Sequence, residues 1–341
     1  MDAARPSATV LIATFNRAAM LEDTLVSLRG MRTQPGLTWE CLVIDNNSSD
    51  DTKAVVERHA RDFPVPLRYL FEARQGRSSA LNSGIAAANA DILVFTDDDV
   101  RVADGWLDAA CCALASPEGA IAFAGGPVRP RWETPPPRWL DLERGDLWGT
   151  IAIQDHGSEV FVYEERRKVP LGANMAVRRD VFERAGLFRA DLGRTGGGRL
   201  VLGQEVPEFL IRARAAGFRG LYLPAMEVHH FVPAARLTRT YFRRWWFGKG
   251  VSRSALERLQ PRTEMGVDLA RTPHILGVPR YMYGSALRDV AGWLRETVRR
   301  RPAAAFRHEM MLAYFAGYFW ARRQGPQPAV STAPAKGAPS V

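Results

Sequence analysis

Asp97-Asp98-Asp99 follows directly on the apolar run Ile-Leu-Val-Phe-Thr at 92–96. Two carboxylates at i and i+2, where a strand turns outward, can converge on one hard divalent cation and leave positions for phosphate oxygens. Such a cation offsets the charge that builds on a departing diphosphate. The same triplet would also suit the start of a helix over 104–115, because carboxylates are favoured at helix N-termini. Asp45 ends a second apolar run and precedes Asn-Asn-Ser-Ser-Asp-Asp-Thr. A carboxylate there can accept from a nucleobase N–H or a ribose hydroxyl; the same segment also reads as a turn in which Ser48 or Ser49 caps the next helix. The stretch from Gly76 and Arg77 through Asn82 to Gly84 opens a helix whose first-turn amides and Arg77 suit a diphosphate. Its small residues serve close helix–sheet packing equally well.

The elements that must position these groups are legible in the first 125 residues. Apolar runs at 9–15, 40–44, 67–71 and 92–96 alternate with helical spacings at 18–29, 50–62 and 78–89. That order predicts an α/β fold with a mostly parallel, Rossmann-like sheet flanked by helices. Ligands bind beyond the carboxyl ends of such strands. Polar clusters sit at three of those ends: Thr14-Phe15-Asn16-Arg17, Asp45-Asn46-Asn47 and Asp97-Asp98-Asp99. After Gly125-Gly126 a Pro- and Trp-rich stretch over 127–160 predicts an irregular excursion. Order returns with a strand over 169–177, a helix over 179–185, a Gly-rich loop over 193–198 and a helix over 207–216. Short strands follow over 221–223 and 226–230, then three basic helices near 236–259, 283–300 and 303–323. Residues 325–341 are low-complexity and expected to be disordered.

The chain has 341 residues and a net charge of +9, with 46% hydrophobic and 24% charged residues, which excludes a disordered or fibrous protein. Three cysteines, Cys41, Cys111 and Cys112, are too few for a disulfide framework and poorly spaced for zinc, so a reduced, cytoplasmic setting is expected. No apolar run reaches the length of a membrane span, and the first residues lack the pattern of a secretory signal. The charge is uneven: from Arg236 to Arg323 there are 18 Lys/Arg against 6 Asp/Glu. In YFRRWWFGKG and MMLAYFAGYFWARR the basic residues are interleaved with large apolar ones. Those stretches read either as ordinary core against the rest of the chain or as a peripheral contact with the inner face of a membrane. No recognition motif supports nucleic acid.

Read in order, Thr14-Phe15-Asn16-Arg17, VIDNNSSDDT, QGRSSALNSGIAAANADILVFTDDDV and VPLGANMAVRRDVFERAGLFRADLG resemble the family 2 glycosyltransferases over roughly residues 7–250. The resemblance implies the GT-A fold, a nucleotide-sugar donor, a Mg²⁺ or Mn²⁺ ion and inverting transfer to a glycan or lipid-linked acceptor in polysaccharide or glycoconjugate assembly. UDP is the default nucleotide, with GDP and dTDP open. It places Thr14 to Asn16 and Asp45 at the nucleoside, with Arg17, Arg77, Asn82 and Asp98 on the same nucleotide and donor side. Asp97 and Asp99 match the outer members of a DxD motif, Asp99 as direct metal ligand and Asp97 on the ribose or sharing the metal. Gly172-Ala173-Asn174 falls near the donor sugar, and His230, more than His229, is a further metal or diphosphate contact. The implied organisation is a catalytic unit over 1–235, with a nucleotide-sugar half over 7–126 and an acceptor half over 127–235. A basic helical extension then covers 236–324. Acceptor choice is expected from 127–160 and 193–198.

One departure bears on catalysis. Relatives begin the helix after the Gly-rich loop with Glu-Asp, the Asp serving as general base; here Glu205 is followed by Val206. Glu205 is the nearest substitute for the base, and Glu208, close to one turn further on, is the second. A catalytically silent nucleotide-sugar-binding or scaffold protein is the competing expectation. A sugar nucleotidyltransferase would need a Gly-rich, basic loop after the first strand, and 16–20 lacks the glycines.

Overall fold

The apolar runs of the first half are buried on both faces, and that decides the architecture. The structure, a computed structural model, describes residues 6–115, 119, 121–143, 145–163, 169–192, 203–259 and 268–324. Strand β1 (Ala8–Thr14) leads through helix α1 (Ala18–Gly30) to β2 (Trp39–Asp45), α2 (Thr52–Ala60), β3 (Leu67–Phe71), α3 (Arg77–Ala87) and β4 (Ile92–Asp97). Then come β5 (Val100–Val102), α4 (Trp106–Leu114), β6 (Ile121–Gly125), β7 (Val128–Trp132), β8 (Phe161–Val162), β9 (Asn174–Arg178) and α5 (Arg179–Ala185). The second half continues with α6 (Glu205–Ala215), β10 (Arg219–Tyr222), β11 (Val228–Val232), α7 (Arg239–Leu259), β12 (His274–Ile275), β13 (Val278–Pro279), α8 (Arg280–Val298) and α9 (Pro302–Arg323).

Eight strands form one sheet in the order β3-β2-β1-β4-β9-β6-β10-β8. Alternate side chains explain the continuous apolar runs. Val10, Ile12, Cys41 and Val43 pack with α1, α2 and α4, whereas Leu11, Leu42 and Ile44 pack with α3, α5 and α6. A strand covered on both sides needs apolar residues at every position. The sheet is parallel through β3, β2, β1 and β4, and again between β6 and β10. It is nevertheless mixed, because β9 runs antiparallel to both β4 and β6 and β8 antiparallel to β10. Reversing β9 sets its first residue, Asn174, beside Thr96 at the carboxyl end of β4. A second sheet, β5-β11-β7, takes only β7 from the Pro- and Trp-rich stretch over which an irregular excursion was expected.

The three basic helices are present, and two of them are core elements. Phe242 and Trp246 of α7 and Phe306 and Met310 of α9 join Leu140, Leu147, Ile151 and Ile153 in one buried cluster. Gly250 and Gly317 let α7 and α9 approach closely, because a Cβ on either would overlap a backbone carbonyl, that of Tyr314 or Phe247. Gly317→Ala is therefore expected to destabilise the protein by about 1–3 kcal/mol through overpacking, despite a helix-propensity gain of up to ~1 kcal/mol. A lowered melting temperature checks this. Buried Glu257 fastens the pair, accepting from Arg253 Nε at 2.8 Å and from the Tyr318 hydroxyl at 2.5 Å. Among the described residues no helix is long and apolar enough to cross a membrane. The Gly-rich 193–198 loop and the 325–341 tail lie outside the described residues.

Candidate active site

Because β1, β2 and β4 are parallel and in register, with Thr14 opposite Asp45 and Ala13 opposite Asp97, their polar carboxyl ends share one edge of the sheet. The acidic triplet bends between β4 and β5 and does not cap α4, whose N-cap is Gly105. Asp98 and Asp99 are buried and clamped by Arg17, whose Nη1 donates to Asp98 Oδ1 at 2.8 Å and to Asp99 Oδ2 at 2.9 Å. Thr14 Oγ1 donates to Asp98 Oδ2 at 2.8 Å. Burial pushes the Asp98 carboxyl up to about 6, against the opposing pull of Arg17.

On the other side of the triplet, His230 is buried in β11, with Nε2 3.4 Å from Asp99 Oδ1. Arg236, in the short 3₁₀ turn after β11, places Nη1 3.2 Å from His230 Nε2 and Nη2 3.6 Å from Asp99 Oδ2. Arg236 read from sequence only as the first residue of the basic extension. No spacing signal marked it, because Pro233 and the 3₁₀ turn bring it back.

Arg77 opens α3 and bridges two carboxylates from distant parts of the chain. Its Nη2 donates to Asp97 Oδ1 at 2.7 Å and to the Gly172 carbonyl at 3.2 Å, while Nη1 reaches Glu205 Oε1 at 3.3 Å. Expected to face a diphosphate, Arg77 here couples the acidic triplet to the start of α6. Glu205, the first residue of α6, is buried, and its Oε2 has no hydrogen-bond partner. A Cβ on Gly172 would stand 3.0 Å from Arg77 Nη1 and 3.2 Å from Val206 Cγ2, so only glycine leaves the guanidinium this room.

Several expected site residues do other work. Glu208 is held by Arg212, which donates Nε to Oε1 and Nη2 to Oε2, each at 2.8 Å, so both of its oxygens are occupied. Asn82 spends both ends of its amide on the Phe188 backbone, at 2.8 and 3.0 Å. Asn174 is fully buried; it accepts from the Trp106 indole at 2.8 Å and donates to the Pro127 and Met226 carbonyls, so it joins the two sheets and does not face a donor. Asn16, at φ 51°, accepts from the Ser49 amide at 2.7 Å and ties the β1 and β2 end loops together. Neither Ser48 nor Ser49 caps α2, whose N-cap is Asp51; Asp50, one residue earlier, accepts from Thr52 N at 3.2 Å. Phe15 is half-buried beside Asn16. Asp45 accepts from the Ser48 amide at 2.9 Å and the Tyr69 hydroxyl at 2.7 Å, which orients both oxygens, and the Tyr69 hydroxyl is pushed up by its burial and this carboxylate. His229 is paired with Glu227 at 3.1 Å, away from the triplet.

The expected metal trio of Asp97, Asp99 and His230 reduces to a pair. Asp97 is drawn to Arg77, and among the described residues no three His, Cys, Asp or Glu side chains form a metal-holding group. The remaining pair fits a cation by its chemistry. Burial holds the His230 imidazole neutral, and the Arg236 contact leaves Nε2 as an acceptor. Asp99 Oδ1, facing it, is buried without a hydrogen bond. Two facing acceptors lack a shared proton and suit a shared cation, which would take over the Nε2 lone pair that Arg236 now occupies. Hard divalent ions take one or two protein ligands and complete their shell with water and substrate phosphates.

Val206 enters the apolar cluster with Phe209 and Leu210. Val206→Asp is thus expected to destabilise the protein by about 3 kcal/mol, as a carboxylate set into apolar packing. A denaturation midpoint measures this, and the substitution should not restore transfer to a Glu205 variant.

A family model described as "Glycosyl transferase family 2" matches residues 9–186. The chain is 27% identical over 246 residues to the succinoglycan biosynthesis protein ExoM of Rhizobium meliloti (strain 1021), covering 72% of this chain and 73% of that one. It is 34% identical over 104 residues to a GalNAc(5)-diNAcBac-PP-undecaprenol beta-1,3-glucosyltransferase of Campylobacter jejuni, 30% of this chain and 32% of that enzyme. Among solved structures, the mannosyltransferase PcManGT from Pyrobaculum calidifontis, in complex with GDP-Man and Mn²⁺, aligns with a TM-score of 0.62 at 18% identity, covering 93% of this chain and 88% of that one. TarS 1–349 of S. aureus in complex with UDP aligns with a TM-score of 0.51 at 13% identity, over 94% and 93% of the two chains.

Proposed function

This chain belongs to glycosyl transferase family 2 and has the GT-A fold, and from that premise we propose that it transfers a sugar, with inversion, from a nucleoside-diphosphate donor to an acceptor hydroxyl. The observation that carries the reading is Glu205. It is a buried carboxylate with one unpartnered oxygen, held by Arg77 beside the acidic triplet. In the proposed step the acceptor hydroxyl gives its proton to Glu205 as its oxygen bonds to the anomeric carbon. The bond from that carbon to the diphosphate oxygen breaks, and its electron pair leaves with the nucleoside diphosphate. The centre passes through an oxocarbenium-like state and inverts, so an α-linked donor gives a β-linked product.

Asp99 and His230 would hold a Mg²⁺ or Mn²⁺ ion, which supplies neutralisation of the charge gathering on the leaving diphosphate. Arg17 and Arg236 keep Asp99 in place from two sides, and Asp45 offers an oriented carboxylate to the nucleoside. The assembly role of ExoM and the undecaprenol-linked substrate of the Campylobacter enzyme support a glycan or lipid-linked acceptor in polysaccharide or glycoconjugate synthesis. GDP-Man and UDP in the two solved structures leave both nucleotides as donor classes, with UDP the first to test.

The test is a panel of UDP-, GDP- and dTDP-sugars assayed for binding and turnover with and without Mn²⁺ or Mg²⁺, followed by the anomeric configuration of the product. Metal-stimulated turnover with inversion is expected. A product of retained configuration would falsify the direct displacement. Tight donor binding without turnover on any acceptor would favour the silent binding protein.

A further inference from the structure

Among the described residues, most of the exposed large apolar side chains of the C-terminal helices lie on α8, which carries none of the aromatic-basic runs that stand out in the sequence. Helix α8 buries Met282, Gly292 and Glu296, and Gly292 fits against the His308 ring of α9. The opposite face carries Leu287, Val290, Leu294 and Val298, spaced by three and four residues and therefore aligned in one stripe. Leu287 is 70% exposed, Leu294 52% and Val298 82%. A surface helix normally turns its polar face outward; this one turns leucine and valine outward. The hairpin of β12 and β13 runs directly into α8 and adds Ile275 and Leu276 at its tip, the latter 78% exposed. Tyr283 fastens the hairpin to the helix through the Ile275 carbonyl at 3.1 Å.

Charge says what such a face would meet. Arg288, Arg295 and Arg299 run along one flank of the stripe, and Arg299-Arg300-Arg301 forms an exposed cluster where α8 ends. The two acids of the helix lie toward the body and are occupied, Asp289 by His308 at 2.7 Å and Glu296 by Arg295 and Arg301 at 2.8 and 3.8 Å. Trp293, on the other flank, is 37% exposed, at the kind of position where indoles settle between acyl chains and headgroups.

We propose that the outer face of α8, with the adjoining hairpin tip, docks this protein on an anionic phospholipid bilayer. An apolar stripe bordered by arginines, lying flat and too short of apolar residues to span, is the pattern of an interfacial helix. A second copy of the chain packed antiparallel fits less well, since that two-fold contact would bring the two arginine rows together. The proposal deepens the lipid-linked acceptor of the preceding section by naming the surface that would present the cleft to a membrane. It does not depend on the chemistry assigned to Glu205.

The experiment uses the full chain with vesicles of phosphatidylcholine alone and of an equimolar phosphatidylglycerol–phosphatidylcholine mixture. Sedimentation with the mixed vesicles and not with the neutral ones is expected. The double variant Leu287→Glu/Leu294→Glu should lower partitioning at least about tenfold. Arg288→Gln/Arg299→Gln should lower it roughly fivefold per arginine and weaken its salt dependence. Donor binding in solution, unchanged in both variants, reports an intact cleft. Equal partitioning of the leucine variant and the parent overturns the proposal, as does absence of vesicle binding by the full chain. A dimer that the leucine substitutions dissociate, without vesicle binding, assigns the face to a second copy instead. Vesicle binding by a chain that turns over no donor supports docking while removing the catalytic reading.

Discussion

Glu205→Gln is expected to abolish sugar transfer, lowering kcat by about 10²–10⁴-fold while donor binding persists. The substitution is close to isosteric, and a Gln amide oxygen can still accept from Arg77 Nη1, the contact that Glu205 Oε1 makes at 3.3 Å. What disappears is the capacity to take the acceptor proton as the new glycosidic bond forms. The described alternatives are committed elsewhere: Glu208 is clamped through both oxygens by Arg212, and Asp97 pairs with Arg77. The check is a pair of measurements on one variant, calorimetric donor binding and nucleoside-diphosphate release in the presence of acceptor. Release at the parental rate would move the base away from α6 and leave Glu205 as an anchor for Arg77.

Asp99→Asn should lower kcat/KM by roughly 10³-fold and erase the response to added Mn²⁺, because the cation loses its charged ligand and the diphosphate loses the cation. The local charge balance argues that this loss is functional and not a loss of fold. Arg17 retains Asp98 at 2.8 Å and is 38% exposed, so it is not stranded without a partner. Arg236 keeps its contact with His230 Nε2 at 3.2 Å. The melting temperature should therefore move little while activity collapses. Manganese binding to the protein–nucleotide complex, followed by paramagnetic resonance, provides the second readout. An Asp99→Asn enzyme that still responds to Mn²⁺ would show that the ion is held elsewhere.

Both predictions use groups that the sequence brought to notice, yet their assignment required the folded chain. Thr14, Asp45 and Asp97 were legible because each ends an apolar run, and parallel strands in register carry such ends to one edge as a local consequence of topology. The αβ alternation, the helix read over 207–216, which the structure begins two residues earlier at Glu205, and the three C-terminal helices were legible for the same reason. Hydrophobic period and turn chemistry are short-range properties, written within a dozen residues.

Partnership is long-range, and there only tertiary structure decided. Glu205 and Glu208 lie within one turn of α6, and the sequence ranked them only by their distance from the family's base position. Arg77, 128 residues away, leaves one Glu205 oxygen open, whereas Arg212 closes both oxygens of Glu208. Asn82 and Asn174 sit within motifs of the family, but burial against Phe188 and Trp106 made them struts. Arg236 entered the site because a 3₁₀ turn folded it back onto His230. The aromatic runs of α7 and α9 became core while the plainer α8 was left facing outward, since composition records how apolar a helix is and docking alone selects the face that is covered.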